Sequence, residues 1–386
     1  MIVIISNWGL ADGTLVTRAV GGDAAVLTAI HRAVIRGGFH PDGGYRPVRS
    51  VDVVLAGDTF DWLVTSAWCR DERPWHRGSR SQSARLAVAR RTLVRHRGVV
   101  GRLVRWARVG LPVPPADARD RPRSAERMLV PVRLTALAGD RDPWLDQAMP
   151  GTARRMACGI CWSDGTVDIR HGHEFDAVCR RATVGSDGRV ARSPSLAESV
   201  ATDLVARFGS MLRGDAALWP VVAPLVAVLA PAGPAALAAR LGRWSAETDP
   251  SAGVRERLER TWRTAVARWH AAARLEVPAC EVEFDAVDAL ATCFDAAWRT
   301  PDPAPDVGRR LGLHGPEDTT IIPMPDRRRS AVLTHRTTPL DTTGPVVLIR
   351  RAAGVPWTRL ESAAVCPVVT IGGGVGPDGD RVVDAA

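Results

Sequence analysis

Four short, largely apolar runs each stop at a polar cluster, and this pattern constrains the fold more than any other feature of the chain. Ile2 to Ser6 leads into Asn7-Trp8-Gly9-Leu10-Ala11-Asp12, and Val51 to Ala56 into Gly57-Asp58-Thr59-Phe60-Asp61. Val132 to Ala138 leads into Gly139-Asp140-Arg141-Asp142, and Thr166 to Arg170 into His171-Gly172-His173-Glu174-Phe175-Asp176. A short apolar run without strict alternation reads as a strand buried on both faces, as in a parallel or mixed sheet. Between these runs, Ala24 to Arg36 has helical spacing. So does the longer stretch from Ala84 to Val109, with Arg85, Arg90, Arg95, Arg102 and Arg105 at polar positions. Strands alternating with helices predict an α/β layered fold, and in such folds functional groups collect outside the carboxyl ends of the strands.

The rest of the chain changes character twice. Residues from about Ser193 to Arg299 read as helices only. Within them Ala216 to Ala239 carries no charge. Pro220, Pro224, Pro231 and Pro234 each remove a backbone donor there, which predicts broken helices over or beside a cleft rather than a membrane span. After Pro301 strands return, at Ser330 to Leu333, Val346 to Arg350 and Val365 to Ile371. The Gly372-Gly373-Gly374 run has no Walker lysine, so it reads as a loop and not a phosphate cradle. Pro112 to Arg123 reads as a flexible loop.

Charge and cysteine content narrow the setting. The chain has 386 residues and a formal net charge of +9, and all 51 basic residues are arginine. Such a total would suit a polyanion. The absence of lysine beside abundant Ala, Gly, Pro and Val fits a bias in base composition equally well, so nucleic acid stands as a minor expectation, through the arginine-rich helix. Seven cysteines show no disulfide framework. Cys158 and Cys161 form a C-x-x-C without a second pair, which predicts small apolar residues on a buried strand. The first residues lack the basic and small-residue parts of a signal peptide, so the expected location is cytoplasmic.

Five segments in order carry the chemistry: the four clusters above, and Thr334-His335-Arg336-Thr337-Thr338-Pro339. Together they resemble the motifs of the calcineurin-like metallophosphoesterase superfamily, which run D-x-H, G-D, G-N-H-D, a lone H and G-H-x-H. The resemblance covers about residues 1–180 and 318–386. The His-Gly-His-x-x-Asp form is similar to a bacterial subgroup related to the UDP-diacylglucosamine pyrophosphohydrolases. It implies a two-sheet α/β/β/α sandwich over 1–180 and 318–386, with a helical insertion as a cap over 181–317. It also implies a divalent ion, one of Mn, Fe or Zn, and a phosphorylated small molecule or lipid-like substrate.

Carried over position by position, the resemblance makes Asp58 the carboxylate that bridges two ions. One metal site keeps its ligand types in Asp58, Asp140, His171 and His335. The other keeps only Asp58, because Asn7, Gly9 and Thr337 stand where an aspartate and two histidines are usual. Arg141 replaces the histidine of G-N-H-D; it can hold a phosphate by paired hydrogen bonds but cannot act as an acid. His335 has two alignments, one of which gives it to the depleted site. Asp12, Asp61 and Asp142 match positions that brace the motif loops. His173, Glu174 and Asp176 are expected near the substrate or around the metal ligands, or else as salt-bridged loop residues. Two functions follow: a divergent one-metal phosphoesterase with Asp58 and Arg141 at the reacting phosphate, or an inactive relative that binds a phosphorylated ligand or a protein.

Overall fold

Burial on both faces turns the expected runs into adjacent strands. The computed structural model describes residues 1–16, 21–69, 72–76, 78–148, 156–164, 167–173, 179, 193–276 and 284–298, with backbone alone at 21–23, 235, 284 and 285. It also describes the backbone of five later strands, Thr320–Pro323, Ser330–Leu333, Val346–Ile349, Glu361–Ala363 and Cys366–Val368. A five-stranded sheet runs in the order Val346–Ile349, Ile2–Ile5, Val51–Ala56, Val132–Leu137, Met156–Gly159. The last four strands are parallel, and Val346–Ile349 pairs antiparallel with Ile2–Ile5. A second sheet orders Thr320–Pro323, Ser330–Leu333, Val167–Arg170 and Cys161–Ser163. The chain is therefore of the mixed α/β class, with a parallel sheet and helices.

The pleat divides the central strands between two apolar clusters. Val3, Ile5, Val53 and Leu55 join the large core that includes Leu27 and Ile30 of helix Gly21–Arg36 and Leu103 of helix Arg97–Val109. Ile2, Ile4, Val54 and Ala56 join a smaller cluster with Val167 and Ile169 of the second sheet. The one charge inside these strands, Asp52, is paired in register with Arg133, whose Nε and Nη2 donate to its carboxylate at 2.5 and 2.8 Å.

The described residues between 196 and 298 are mainly helical, as their composition predicts. The helices are Leu196–Ser199, a π-helical turn Val200–Ala206, Arg207–Arg213, Trp219–Leu229, Pro234–Thr248, Ala252–Glu276 and Phe284–Ala296. Ser195 opens them with a capping box, accepting from the Glu198 amide while Glu198 accepts from its own. The charge-free stretch breaks between Leu229 and Pro234, and among the described residues no helix is long and apolar enough to cross a membrane. Trp262, Trp269, Phe208 and Leu204 of this region belong to the same core cluster as Val3 and Trp62 of the α/β part. Polar ties reinforce the junction, among them Arg73 to Asp203 at 2.6 Å and Trp75 Nε1 to Glu276 at 2.8 Å.

Three local expectations are corrected. The stretch from Ala84 to Val109 forms two helices, Ser79–Arg95 and Arg97–Val109, that meet at His96. The buried His96 ring reaches the Ala11 carbonyl at 3.0 Å, and its backbone (φ −100°, ψ 22°) leaves the helix to do so. Arg85 is buried, donating to the Pro74 carbonyl at 2.7 Å. Cys158 and Cys161 sit on the two strands Met156–Gly159 and Cys161–Ser163, and Cys161 is exposed. Residues 112–123 are held in place, with Leu111–Val113 paired to Met128–Val130 and Tyr45 donating to the Pro114 carbonyl.

Because one apolar core joins the sheet and the helical layer, the two should unfold together. Trp262 is fully buried and its indole donates to the Phe294 carbonyl at 2.7 Å. Trp262→Ala should remove about 3–5 kcal/mol. In urea, fluorescence and far-ultraviolet dichroism should shift in one common transition. Separate midpoints for the two signals would show that the layers unfold independently.

Candidate metal centre

The loops at the carboxyl ends of the first two strands continue side by side. Asn7, Gly9 and Leu10 donate backbone N–H groups to the carbonyls of Gly57, Asp58 and Thr59 at 3.2, 2.9 and 2.9 Å. A short parallel pair, Leu10–Ala11 with Phe60–Asp61, extends this contact. The turns demand unusual backbone: φ is +53° at Asn7, +64° at Gly9, +84° at Gly57 and +49° at Asp58. Gly57 is required twice over, since its conformation is left-handed and a Cβ there would collide with the His171 ring. Gly139 has no room for a Cβ either, because Asp58 lies against it.

These close approaches bring together four side chains of types that can ligate a metal. His171 is buried, and its Nδ1 lies 3.0 Å from the Ala56 carbonyl, so Nδ1 carries the proton that it donates. That fixes Nε2 on the opposite side, 3.0 Å from Asp140 Oδ1 and 3.4 Å from Asp58 Oδ2. His173 completes the group: one ligand atom each from Asp140, His171 and His173 lies within 4.8 Å of the others. Two imidazoles and carboxylate oxygens, with the second nitrogen of one ring held by a backbone carbonyl, are the donor set of a first-row divalent ion. The residues present fit such an ion. His173 thus stands among the donors, while His335, Glu174 and Asp176 lie outside the described residues.

The remaining predicted residues brace this group. Asp12 accepts from Thr14, from Thr65 Oγ1 at 2.7 Å, and from Arg91 Nε and Nη2 at 3.1 and 2.9 Å. It thereby ties two strand-end loops to helix Ser79–Arg95. Asp61 accepts from the amides of Leu63 and Val64 and from Arg141 Nη1 at 3.3 Å. Asp142 accepts from the amides of Gly139 and Phe60 at 2.7 and 3.1 Å. Burial, and after it the Asp58 charge, push the Asp142 carboxyl up to about 7 against those two amides. Arg141 has a different placement from one facing a phosphate. Its amide donates to Asp58 Oδ1 at 2.9 Å, and its guanidinium, 11% exposed, bonds Asp61 and the Ala232 carbonyl. Arg141 therefore clamps the loop to the break in the charge-free stretch.

Two further residues belong here that sequence reasoning passed over. Cys179 is buried with its Sγ 3.9 Å from Asp140 Oδ2. Arg240, on helix Pro234–Thr248, is 9% exposed, and its Nη1 donates to the Val228 carbonyl at 3.2 Å. Its Nη2 is buried with no hydrogen-bond partner, and no carboxylate pairs with it among the described residues. Burial, then Arg141 and Arg243, pull its pKa down to about 9. The available signal was its position as the charge that ends the uncharged stretch. A guanidinium buried without an acid, beside a second one, suits an anion.

Burial alone would lower the His171 pKa, but the charge of Asp58 and the hydrogen bonds that Asp140 and Asp58 accept from the ring hold it well above 6.5. The sign follows. An imidazolium between two carboxylates stabilises the metal-free protein fully below about pH 6.5, and that stability is lost as pH rises through the elevated value. An ion must displace this proton. Zinc affinity should therefore rise with pH from 6 to 8 with proton release, read by calorimetry in buffers of different ionisation enthalpy. Affinity independent of pH would exclude His171 as a ligand. Gly139→Ala, by displacing Asp58, should weaken metal affinity about 10-fold or more, on the scale of 10–100-fold for disturbing the groups that orient ligands. No protein-family model, curated protein or solved structure matches this chain.

Proposed function

We propose that this protein is a divergent calcineurin-like phosphoesterase that works with one divalent ion. On this reading the two sheets and their helices form the α/β/β/α sandwich of that superfamily, with residues 181–317 as the inserted cap. The observation that carries it is the convergence of Asp58, Asp140, His171 and His173 from three loops at the carboxyl ends of parallel strands. Asp58, Asp140, His171 and His173 would hold the ion, joined by His335 under the first alignment of its motif. When bound, such an ion polarises a phosphoryl oxygen and makes a bound water more acidic.

The chain's own residues then set how well the reaction can run. The Ala56 carbonyl keeps His171 in the tautomer that offers Nε2. Asp12, Asp61 and Asp142 hold the three loops in register, so the carboxylates stay aimed at one point. Arg141 holds its loop to the helical layer through Asp61 and Ala232, and Arg240 supplies positive charge where that layer meets the loops, which suits a second anionic group or the leaving phosphate. Neither arginine can donate a proton near neutral pH, so protonation of the leaving oxygen is left to solvent. That predicts slow turnover. General acid–base groups typically contribute about 10²–10⁴-fold. A second reading, an inactive protein that binds a phosphorylated ligand, is favoured by one observation: Arg240 is buried with no carboxylate pairing it among the described residues.

Mn²⁺ or Zn²⁺ should support slow hydrolysis of bis(4-nitrophenyl) phosphate with about one ion per chain. A chelator and His171→Ala should each abolish it. Arg240→Met should leave metal stoichiometry unchanged and raise KM about 10-fold or more, as expected for losing a hydrogen bond to a charged group. Metal binding without turnover, or no metal binding at all, would select the binding reading, and two ions per chain with turnover at ordinary enzyme rates would overturn the one-metal reading.

A further inference from the structure

The positive charge of this chain is concentrated in one segment. Residues 73–116 contain 11 arginines and no Asp or Glu, so the remainder of the chain carries a net charge of −2 against a total of +9. A uniform compositional bias would not empty one segment of acids. In the structure nine of these arginines lie on helices Ser79–Arg95 and Arg97–Val109. Arg80, Arg90, Arg95, Arg97, Arg102, Arg105 and Arg108 are exposed and none is in an ion pair among the described residues; on these helices Arg91 reaches Asp12, and Arg73 ahead of them pairs with Asp203.

Large aliphatic side chains are exposed among them. Val94 is 59% exposed and Val109 45%. Leu129, on the neighbouring strand Met128–Val130, is 52% exposed. Arg102, Arg105 and Val109 fall on one stripe of their helix, spaced by three and four residues. That stripe borders a groove of about 410 Å³ between helices Gly21–Arg36 and Arg97–Val109. Leu27, Trp106, Leu111 and Pro112 line it, and no acidic residue does. The groove adjoins the start of the strands, since helix Arg97–Val109 runs into Leu111 and then Met128–Val130 ahead of Val132–Leu137. The metal centre lies past the opposite, carboxyl ends.

We propose that this face docks on an anionic phospholipid bilayer, with Arg102 and Arg105 on lipid phosphates and Val109 and Leu129 inserted among the acyl chains. Clustered arginines attract an anionic leaflet, and aliphatic side chains gain by leaving water once there. Single-stranded nucleic acid is the less suitable occupant. It would meet aliphatic side chains where stacking requires exposed aromatic rings, and the one aromatic ring of these two helices, Trp106, is buried. The proposal is independent of the metal-centre reading.

Co-sedimentation of the full chain with phosphatidylcholine vesicles containing 30% phosphatidylglycerol tests it. The protein should bind these vesicles and not pure phosphatidylcholine, and more weakly as salt rises. Arg102→Glu with Arg105→Glu should reduce partitioning about 30-fold or more, on the scale of one surface arginine's contribution taken twice. Val109→Ser with Leu129→Ser should reduce it too, at unchanged charge. Arg260→Glu with Arg268→Glu, on helix Ala252–Glu276, makes the same charge change elsewhere and should cost little. Circular dichroism and metal stoichiometry confirm that each variant is folded. Three results would overturn the proposal: no binding to anionic vesicles, equal loss in both charge reversals, or DNA binding that Arg102→Glu/Arg105→Glu abolishes while vesicles are ignored.

Discussion

The imidazole of His171 is the contact on which the site depends. One nitrogen is fixed by the carbonyl of Ala56, the last residue of a central strand, and the other faces the carboxylates of Asp58 and Asp140. This joins three loops through a single ring: its own, the one after Val51–Ala56 and the one after Val132–Leu137. Two carboxylates at this distance repel each other unless a cation sits between them. A proton on His171 or a divalent ion can serve, and only one of the two fits at a time. Metal affinity, site geometry and pH are therefore linked by the same atoms.

That linkage requires a backbone that approaches closely, and the glycines of the motif provide it. Gly57 lies against the His171 ring and Gly139 against Asp58, so the three loops pack at distances no side chain would permit. Asp58 itself has φ +49°, a conformation that costs an ordinary residue about 1–2 kcal/mol. Its carboxylate recovers part of this by accepting from the Arg141 amide. The strain is held by strands that are buried on both faces and cannot shift, with the helical layer closing over Arg141 at the Ala232 carbonyl.

How much of this could be read from the chain depended on whether the physical cause was local. Strands buried on both faces leave apolar runs, so Ile2–Ile5 and Val51–Ala56 were visible directly, as was the bracing by Asp12, Asp61 and Asp142 at motif positions. The break at His96 was not visible. It arises from a hydrogen bond to Ala11, 85 residues away, in a sequence whose helical spacing is otherwise continuous. Arg240 was hidden for a related reason. An arginine at helical spacing reads as a surface residue, and only the packing of the charge-free stretch buries it. His173 was expected near the substrate or around the ligands; the fold around Gly172, with φ +97°, brings its ring beside that of His171.

On the proposed phosphoesterase reading, the departure from a two-ion site reaches into the backbone as well as the side chains. The usual histidine of the first motif falls on Gly9, which has φ +64° and gives its N–H to the Asp58 carbonyl. A histidine there would adopt a left-handed conformation that glycine accepts without cost. Asn7, at the position of the usual aspartate, is left-handed as well and keeps an oxygen but no negative charge. With the Asp58 carbonyl already bonded to Gly9, the first loop is anchored to the second by main-chain contacts that need no ion to hold them. The loop therefore keeps its place whether or not a metal occupies that side. The fixed charges nearby are Arg141, held by Asp61 and the Ala232 carbonyl, and Arg240, held by the Val228 carbonyl. On the proposed phosphoesterase reading, a site built this way would hold phosphate better than it turns phosphate over, because binding needs only charge in place, whereas turnover also needs an activated water and a proton donor.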